Sequence, residues 1–129
     1  MSEIFKLEII SPDKIIFKSD VIEVTIPSYE GSMGILKNHI PLVTFLRPGI
    51  IFVKSQNLIK NFFIEEGTVE FSNNTLLILS STAKDLENLS KTLIDEMMSD
   101  SREKIRNENI KDKEKYFLSY KIATLQEVS

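Results

Sequence analysis

Cysteine and tryptophan are absent from the chain, histidine occurs once, and glycine and proline occur four times each. Without cysteine there is no disulfide, no thiolate nucleophile and no thiolate metal site. A single histidine cannot complete the nitrogen and sulfur ligand set that zinc usually takes. No apolar run approaches the roughly 20 residues that a membrane-spanning helix needs. The 16 basic and 19 acidic residues leave a net charge of −3, a poor footprint for nucleic-acid binding. The N-terminal sequence passes straight into a strand pattern, with neither a basic-then-apolar leader nor an Arg-rich presequence. The expectation is a protein kept in a cytoplasm-like compartment. At 129 residues the chain is long enough for one domain with a real core, or one domain plus a small appendage.

What is present falls into two textures. Up to about Thr82 the chain alternates apolar and polar residues in short runs: 4–10, 14–18, 21–26, 42–46, 50–54, 59–65, 67–72 and 76–80. Turn residues punctuate the runs, and Asn73-Asn74 predicts a tight hairpin. Short strands at this spacing imply an antiparallel β-sandwich or barrel of about eight to ten strands. Beyond Thr82 the apolar residues switch to helical spacing. Leu86, Leu89, Leu93 and Met97 fall on one stripe, with Ile94, Met98 and Ile105 beside it. Thr82 and Asn88 are both candidate helix caps. Asn107-Glu108-Asn109 interrupts the pattern before a second helix, from about 110 to 126. The expected organisation is a β-sandwich domain over 1–84 and an antiparallel helical hairpin over 85–129. A unit of about 45 residues is close to the size below which chains seldom fold unaided, so the hairpin must lean on the sandwich or on a partner.

The stretch from Ile26 to Gly49 stands apart, holding three of the four prolines, three of the four glycines and the only histidine. Such a loop is the first place to look for function. His39 has no serine, aspartate or second histidine arranged around it as a nucleophile motif. Gly31-Ser32-Met33-Gly34 lacks the Lys-Ser/Thr of a phosphate loop, and no helix pattern opens behind it. Glu65-Glu66 and Asp95-Glu96 are adjacent pairs and read as solvated charges. The residue reading leaves a glycine-hinged bend that exposes Met33 as a contact point for another protein.

Residues 23–49, EVTIPSYEGSMGILKNHIPLVTFLRPG, resemble the hallmark of the epsilon subunit of F-type ATP synthases, called delta in mitochondria. Glu30, Gly31, Gly34, Ile35, His39, Pro41, Leu42, Thr44, Leu46, Pro48 and Gly49 match that pattern in order and spacing. The opening LEIISPDKIIF and the segments around Gly67 and Leu76–Ala83 are also similar to the family.

The resemblance implies a non-catalytic rotor part without a cofactor, peripheral to the cytoplasmic face of a bacterial inner membrane. Its sandwich would bind the gamma subunit and rest on the c-ring. Glu30, Gly31, Ser32, Met33, His39 and Leu42 would form the contact surface. Many bacterial relatives carry a second glutamate where Ser32 stands, so the charge-based part of that contact is reduced here. In relatives the hairpin either folds on the sandwich or extends along gamma and blocks ATP hydrolysis. Here Lys111, Lys113, Lys115 and Lys121 could serve against the catalytic alpha and beta subunits, but a solvated helix face is the better reading of them. The ATP-binding motif of some relatives, I/L-D-x-x-R-A, is matched only as Ile94-Asp95-Glu96-Met97-Met98-Ser99, without its arginine and alanine. An alternative from a different class is a free-standing β-sandwich binding module with a helical oligomerisation hairpin.

Overall fold

Period-two alternation makes the first strand, β1 (Phe5–Ile10), in which Phe5, Leu7 and Ile9 are buried while Lys6 is exposed. The computed structural model describes residues 3–129. Nine further strands follow: β2 (Ile15–Val21), β3 (Glu23–Ser28), β4 (Gly31–Ile35), β5 (Leu42–Leu46), β6 (Gly49–Lys54), β7 (Ile59–Ile64), β8 (Gly67–Ser72), β9 (Thr75–Leu79) and β10 (Lys84–Asp85). They pair in the order β10-β7-β6-β3-β5-β8-β9-β1-β2, with β4 attached to β3. Every ladder is antiparallel except that of β1 with β9. Phe17 of β2 and Phe62 of β7, from opposite ends of that order, pack with ring centroids 5.3 Å apart. The sheet therefore closes around one core, which Leu7, Ile9, Ile26, Ile51, Phe62, Phe71 and Ile78 help to fill. This is the expected sandwich.

The central stretch is more ordered than its composition suggests. Gly31–Ile35 is a strand, registered on β3 through Val24↔Ile35 and Ile26↔Met33. Two glycines and no β-branched residue before Ile35 hide it from propensity, and pairing with β3 supplies what the local sequence lacks. Met33 is consequently half-buried and packs on the sandwich core, which corrects its expected exposure. Within Gly31–Ile35 only Gly31 has a positive φ, at 119°, beside the Tyr29-Glu30 turn.

β3 is the corner of the sandwich. Glu23–Thr25 pair with β6, whereas Ser28 pairs with Leu46 of β5. Pro27 sits where the partner changes, and its carbonyl accepts the Arg47 N–H at 3.0 Å. Gly49 makes that corner possible: a Cβ there would lie 2.5 Å from Pro27 Cβ. Gly49→Ala is expected to lower stability by about 1–3 kcal/mol through overpacking, read from the shift of a urea midpoint. At the other end, Asn73 and Asn74 have φ of 51° and 54°, the two left-handed residues of a type I′ hairpin turn between Ser72 and Thr75.

The first α-helix starts later than either expected cap. Thr82 Oγ1 instead accepts the Glu65 and Glu66 N–H groups at 3.0 and 3.2 Å, stapling a loop. A short 3-10 turn over Leu86–Asn88 follows, with Asp85 accepting the Glu87 N–H. Helix α1 (Lys91–Ile105) is then capped by Ser90, which accepts the Leu93 N–H at 3.1 Å. Helix α2 (Asp112–Val128) packs back on α1. Lys60 holds the junction by donating to Asp85 at 2.7 Å. That bond keeps the Asp85 carboxyl below the usual carboxylate range and lifts Lys60 above the usual lysine value. The contribution of Asp85 is thus present above the carboxylate range and fades as pH falls through it.

The hairpin covers one outer face of the sandwich. Alternation sends Phe62 and Ile64 into the sandwich core and Phe63 outward, where it meets Ile94, Met98 and Leu125. Ile50, paired with Phe63 across β6 and β7, joins the same cluster along with Leu86, Leu89 and Ile122. Ser101 on α1 is fully buried, and its hydroxyl has no hydrogen-bond partner among the described residues. Ser101→Ala removes that desolvated hydroxyl at little cost in volume. It should stabilise the hairpin by about 1 kcal/mol, measured as increased amide protection in α1 and α2.

Candidate protein-docking site

The outer face opposite in role to the helix-covered one is built from β5, β8 and β9. Register places Val43 against Glu70 and Phe45 against Thr68 on β8, then Glu70 against Leu77 and Thr68 against Leu79 on β9. Val43 and Phe45 are 73% and 60% exposed, and Leu79 is exposed as well. Sheet faces turned to solvent normally carry polar residues. This one has an apolar strip with Thr68 and Glu70 between its larger members. Next to it, Tyr29, Phe45, Leu46, Thr68 and Leu79 line an open groove of about 550 Å³, with Lys113 of α2 at its rim.

The residues expected at the contact surface divide into two places. Glu30 and Ser32 are exposed around the Tyr29-Glu30 turn, and Ser28 Oγ donates to the Gly31 carbonyl at 2.7 Å to fix its shape. His39 lies on the connection from β4 to β5. Its ring packs edge-on against Phe71 at 5.9 Å, and Nδ1 lies 2.7 Å from the Ile40 carbonyl. His39 is therefore satisfied locally, with no nucleophile beside it. Leu42 is half-buried on the sandwich core, with Met33. No hydrogen bond or ring contact among the described residues joins the Glu30 turn to His39.

Sequence reasoning missed Val43, Phe45, Leu79 and Tyr29. A signal existed for the first three: Leu42–Leu46 and Leu76–Leu79 are apolar on both faces, so a strand in a two-layer sandwich must turn one apolar face outward. Tyr29 had none, because its partners come from α2. Its ring stacks on Tyr116 at 6.3 Å, Tyr116 meets Tyr120 at 4.8 Å, and the Arg47 guanidinium lies 4.3 Å over Tyr120. The hydrogen bond from Tyr116 to Tyr120 raises the Tyr116 phenol above its usual value. Lys121, expected on a free helix face, instead pairs with Glu65 at 2.7 Å and is largely covered. The helical hairpin thus rests beside the apolar face, tied to the turns that border it.

The family model for the ATP synthase delta/epsilon chain β-sandwich domain matches residues 4–85. A Pelagibacter ubique ATP synthase epsilon chain is 42% identical over 127 residues, which is 98% of each chain. This chain belongs to the ATP synthase delta/epsilon family. Two solved structures share the fold. A chain of the Euglena gracilis mitochondrial ATP synthase superposes with a TM-score of 0.81 at 22% identity, over 98% of this chain and 82% of that one. A chain from the central stalk and c-ring of the Tetrahymena thermophila enzyme gives 0.63 at 15% identity, over 95% and 93%.

Proposed function

We propose that this chain is a non-catalytic rotor subunit of an F-type ATP synthase. It couples rotation of the c-ring, through gamma, to ATP synthesis at the catalytic subunits, and it lies peripheral to the membrane on the cytoplasmic face. The observation that carries this reading is the uncovered apolar face of β5, β8 and β9, in a family member whose other face its own helices cover. Gamma would take that face; the c-ring loops would meet the turn that presents Glu30 and Ser32. The near full-length likeness to an ATP synthase epsilon chain supports the same assignment, as does the central stalk and c-ring assembly that holds the Tetrahymena chain of like fold. No helix of the described residues is long and apolar enough to cross a membrane, so attachment through partner subunits is the arrangement we propose.

Tagged gamma in detergent-solubilised membranes tests the assignment. The expected result is co-purification of this chain with gamma and the c-ring. Recovery of the chain alone, as a monomer, overturns it.

The hairpin is seen folded on the sandwich, and we propose that this is its resting position, from which release would carry it toward the alpha and beta subunits. Where relatives place the arginine of their ATP motif, this chain has Met98, which is buried in the helix-docking cluster. A phosphate loses its bidentate partner there. Calorimetry should detect no ATP binding at micromolar concentrations; a saturable isotherm in that range contradicts the assignment.

A further inference from the structure

Ile40 is 74% exposed, the most exposed of the large apolar side chains in the described residues, and the turn just before it is tied by several hydrogen bonds. The peptide before it forms a turn closed by the His39 N–H donating to the Leu36 carbonyl at 3.1 Å. Asn38 occupies the left-handed position of that turn at φ 66°. Its backbone N–H donates to Asn74 Oδ1 at 2.7 Å, and Asn74 Nδ2 returns a bond to Asn38 Oδ1 at 3.1 Å. Because a backbone N–H can only meet an oxygen, the orientation of the Asn74 amide is fixed by this pair. Asn74 is itself anchored, since its carbonyl accepts the Lys6 N–H at 3.0 Å. His39 completes the support, with its ring against Phe71 and Nδ1 beside the Ile40 carbonyl.

Two turns that are 36 residues apart in sequence thus clasp each other by their amides, and the clasp fixes a stretch from which two apolar side chains project, Leu36 and the more exposed Ile40. An exposed isoleucine gains nothing for the free chain from being held still. A partner with an apolar recess gains a great deal, because order prepaid in the free protein is not lost on binding. Ile40 also stands three residues from Val43, within about 10 Å of chain.

We propose that Ile40 is an anchor for gamma and that Asn38 and Asn74 are positioning residues that pre-form it. This rests on the reading of the chain as a gamma-binding rotor subunit and adds to it which side chain leads the contact and what holds that side chain in place.

The test uses the full chain and an alpha–beta–gamma subcomplex lacking it, with association and dissociation rates read separately. Asn38→Gly and Asn74→Gly keep both left-handed conformations. Asn74→Gly deletes both bonds of the clasp, whereas Asn38→Gly deletes only the return bond, because its backbone N–H still meets Asn74 Oδ1. Asn74→Gly should slow association about fivefold by lowering the binding-competent fraction, with dissociation unchanged, and Asn38→Gly should slow it less. The double variant should be no slower than Asn74→Gly alone, since that substitution already removes both bonds. Ile40→Ala leaves the clasp in place and should instead speed dissociation about tenfold. A parent-like association rate in Asn74→Gly overturns the positioning role, and an unchanged dissociation rate in Ile40→Ala overturns the anchor. A lowered thermal midpoint in the Asn variants with unchanged association makes the clasp purely structural and also overturns the positioning role. Failure of the parent chain itself to bind the subcomplex counts against the rotor reading instead.

Discussion

Phe45→Glu should weaken binding of the chain to gamma by about 30-fold to 1000-fold while leaving the chain folded, the loss expected when a central aromatic contact is replaced. The two effects separate because Phe45 is 60% exposed in the free chain. Substitution at such a position alters stability by about 1 kcal/mol at most, through strand propensity against its cross-strand partner Thr68. In the docked state the same position is desolvated, and burying a carboxylate there is costly. Glu30→Gln offers the contrast. A charge at an exposed turn acts through steering, so its removal should lower the association rate at low salt and do little at high salt. Surface plasmon resonance across a salt series distinguishes the two, and the melting curve of each variant confirms that the sandwich is intact. Equal loss in both variants would place the energetic centre at the turn rather than on the sheet.

Leu125→Ala should undock the helices without unfolding the sandwich. Leu125 is fully buried in the small cluster with Phe63, Ile94 and Met98, and removing a buried leucine side chain costs about 2–5 kcal/mol. The ties outside that cluster include the Tyr29–Tyr116–Tyr120–Arg47 stack, the Lys121–Glu65 pair and the Thr124 hydroxyl facing the Pro48 carbonyl at 3.4 Å, a small set beside the buried apolar contacts. A hairpin of this size has little stability of its own. Hydrogen exchange in the variant should therefore show lost protection across α1 and α2 with the β-strand amides still protected. A single cooperative shift of the whole chain would show that sandwich and hairpin form one folding unit. If release of the hairpin is what brings it to the catalytic subunits, the same variant should change ATP hydrolysis by membranes at unchanged subunit content.

The strands legible in the sequence are those whose own alternation places them. Phe5-Leu7-Ile9, Ile22-Val24-Ile26 and Val69-Phe71 need no partner to announce an inward face. Gly31–Ile35 was illegible because its strand state comes from β3, and with it went the burial of Met33. The helix start was misplaced for a related reason: Thr82 has the chemistry of a cap, but the Glu65 and Glu66 N–H groups reach its hydroxyl first. Lys121 looked like any solvated lysine until β7 and α2 brought Glu65 to it. The Pro, Gly and His of residues 26–49 drew attention to that segment alone. The sheet face beside it went unremarked, because a run such as Leu-Val-Thr-Phe-Leu reads as ordinary core until the position of the helices is known. Which of two apolar faces is left open is a property of the assembled fold, and no single strand records it.

The central claim is that the open face of β5, β8 and β9 carries gamma. A photo-reactive amino acid placed at Val43, and separately at Ile59 on β7, in the intact membrane-bound enzyme tests it most directly. Both positions are exposed in the free chain, at 73% and 54%. Illumination should join the chain to gamma from position 43 and give little or no gamma product from position 59. Capture of gamma from position 59 with none from position 43 would contradict the assignment.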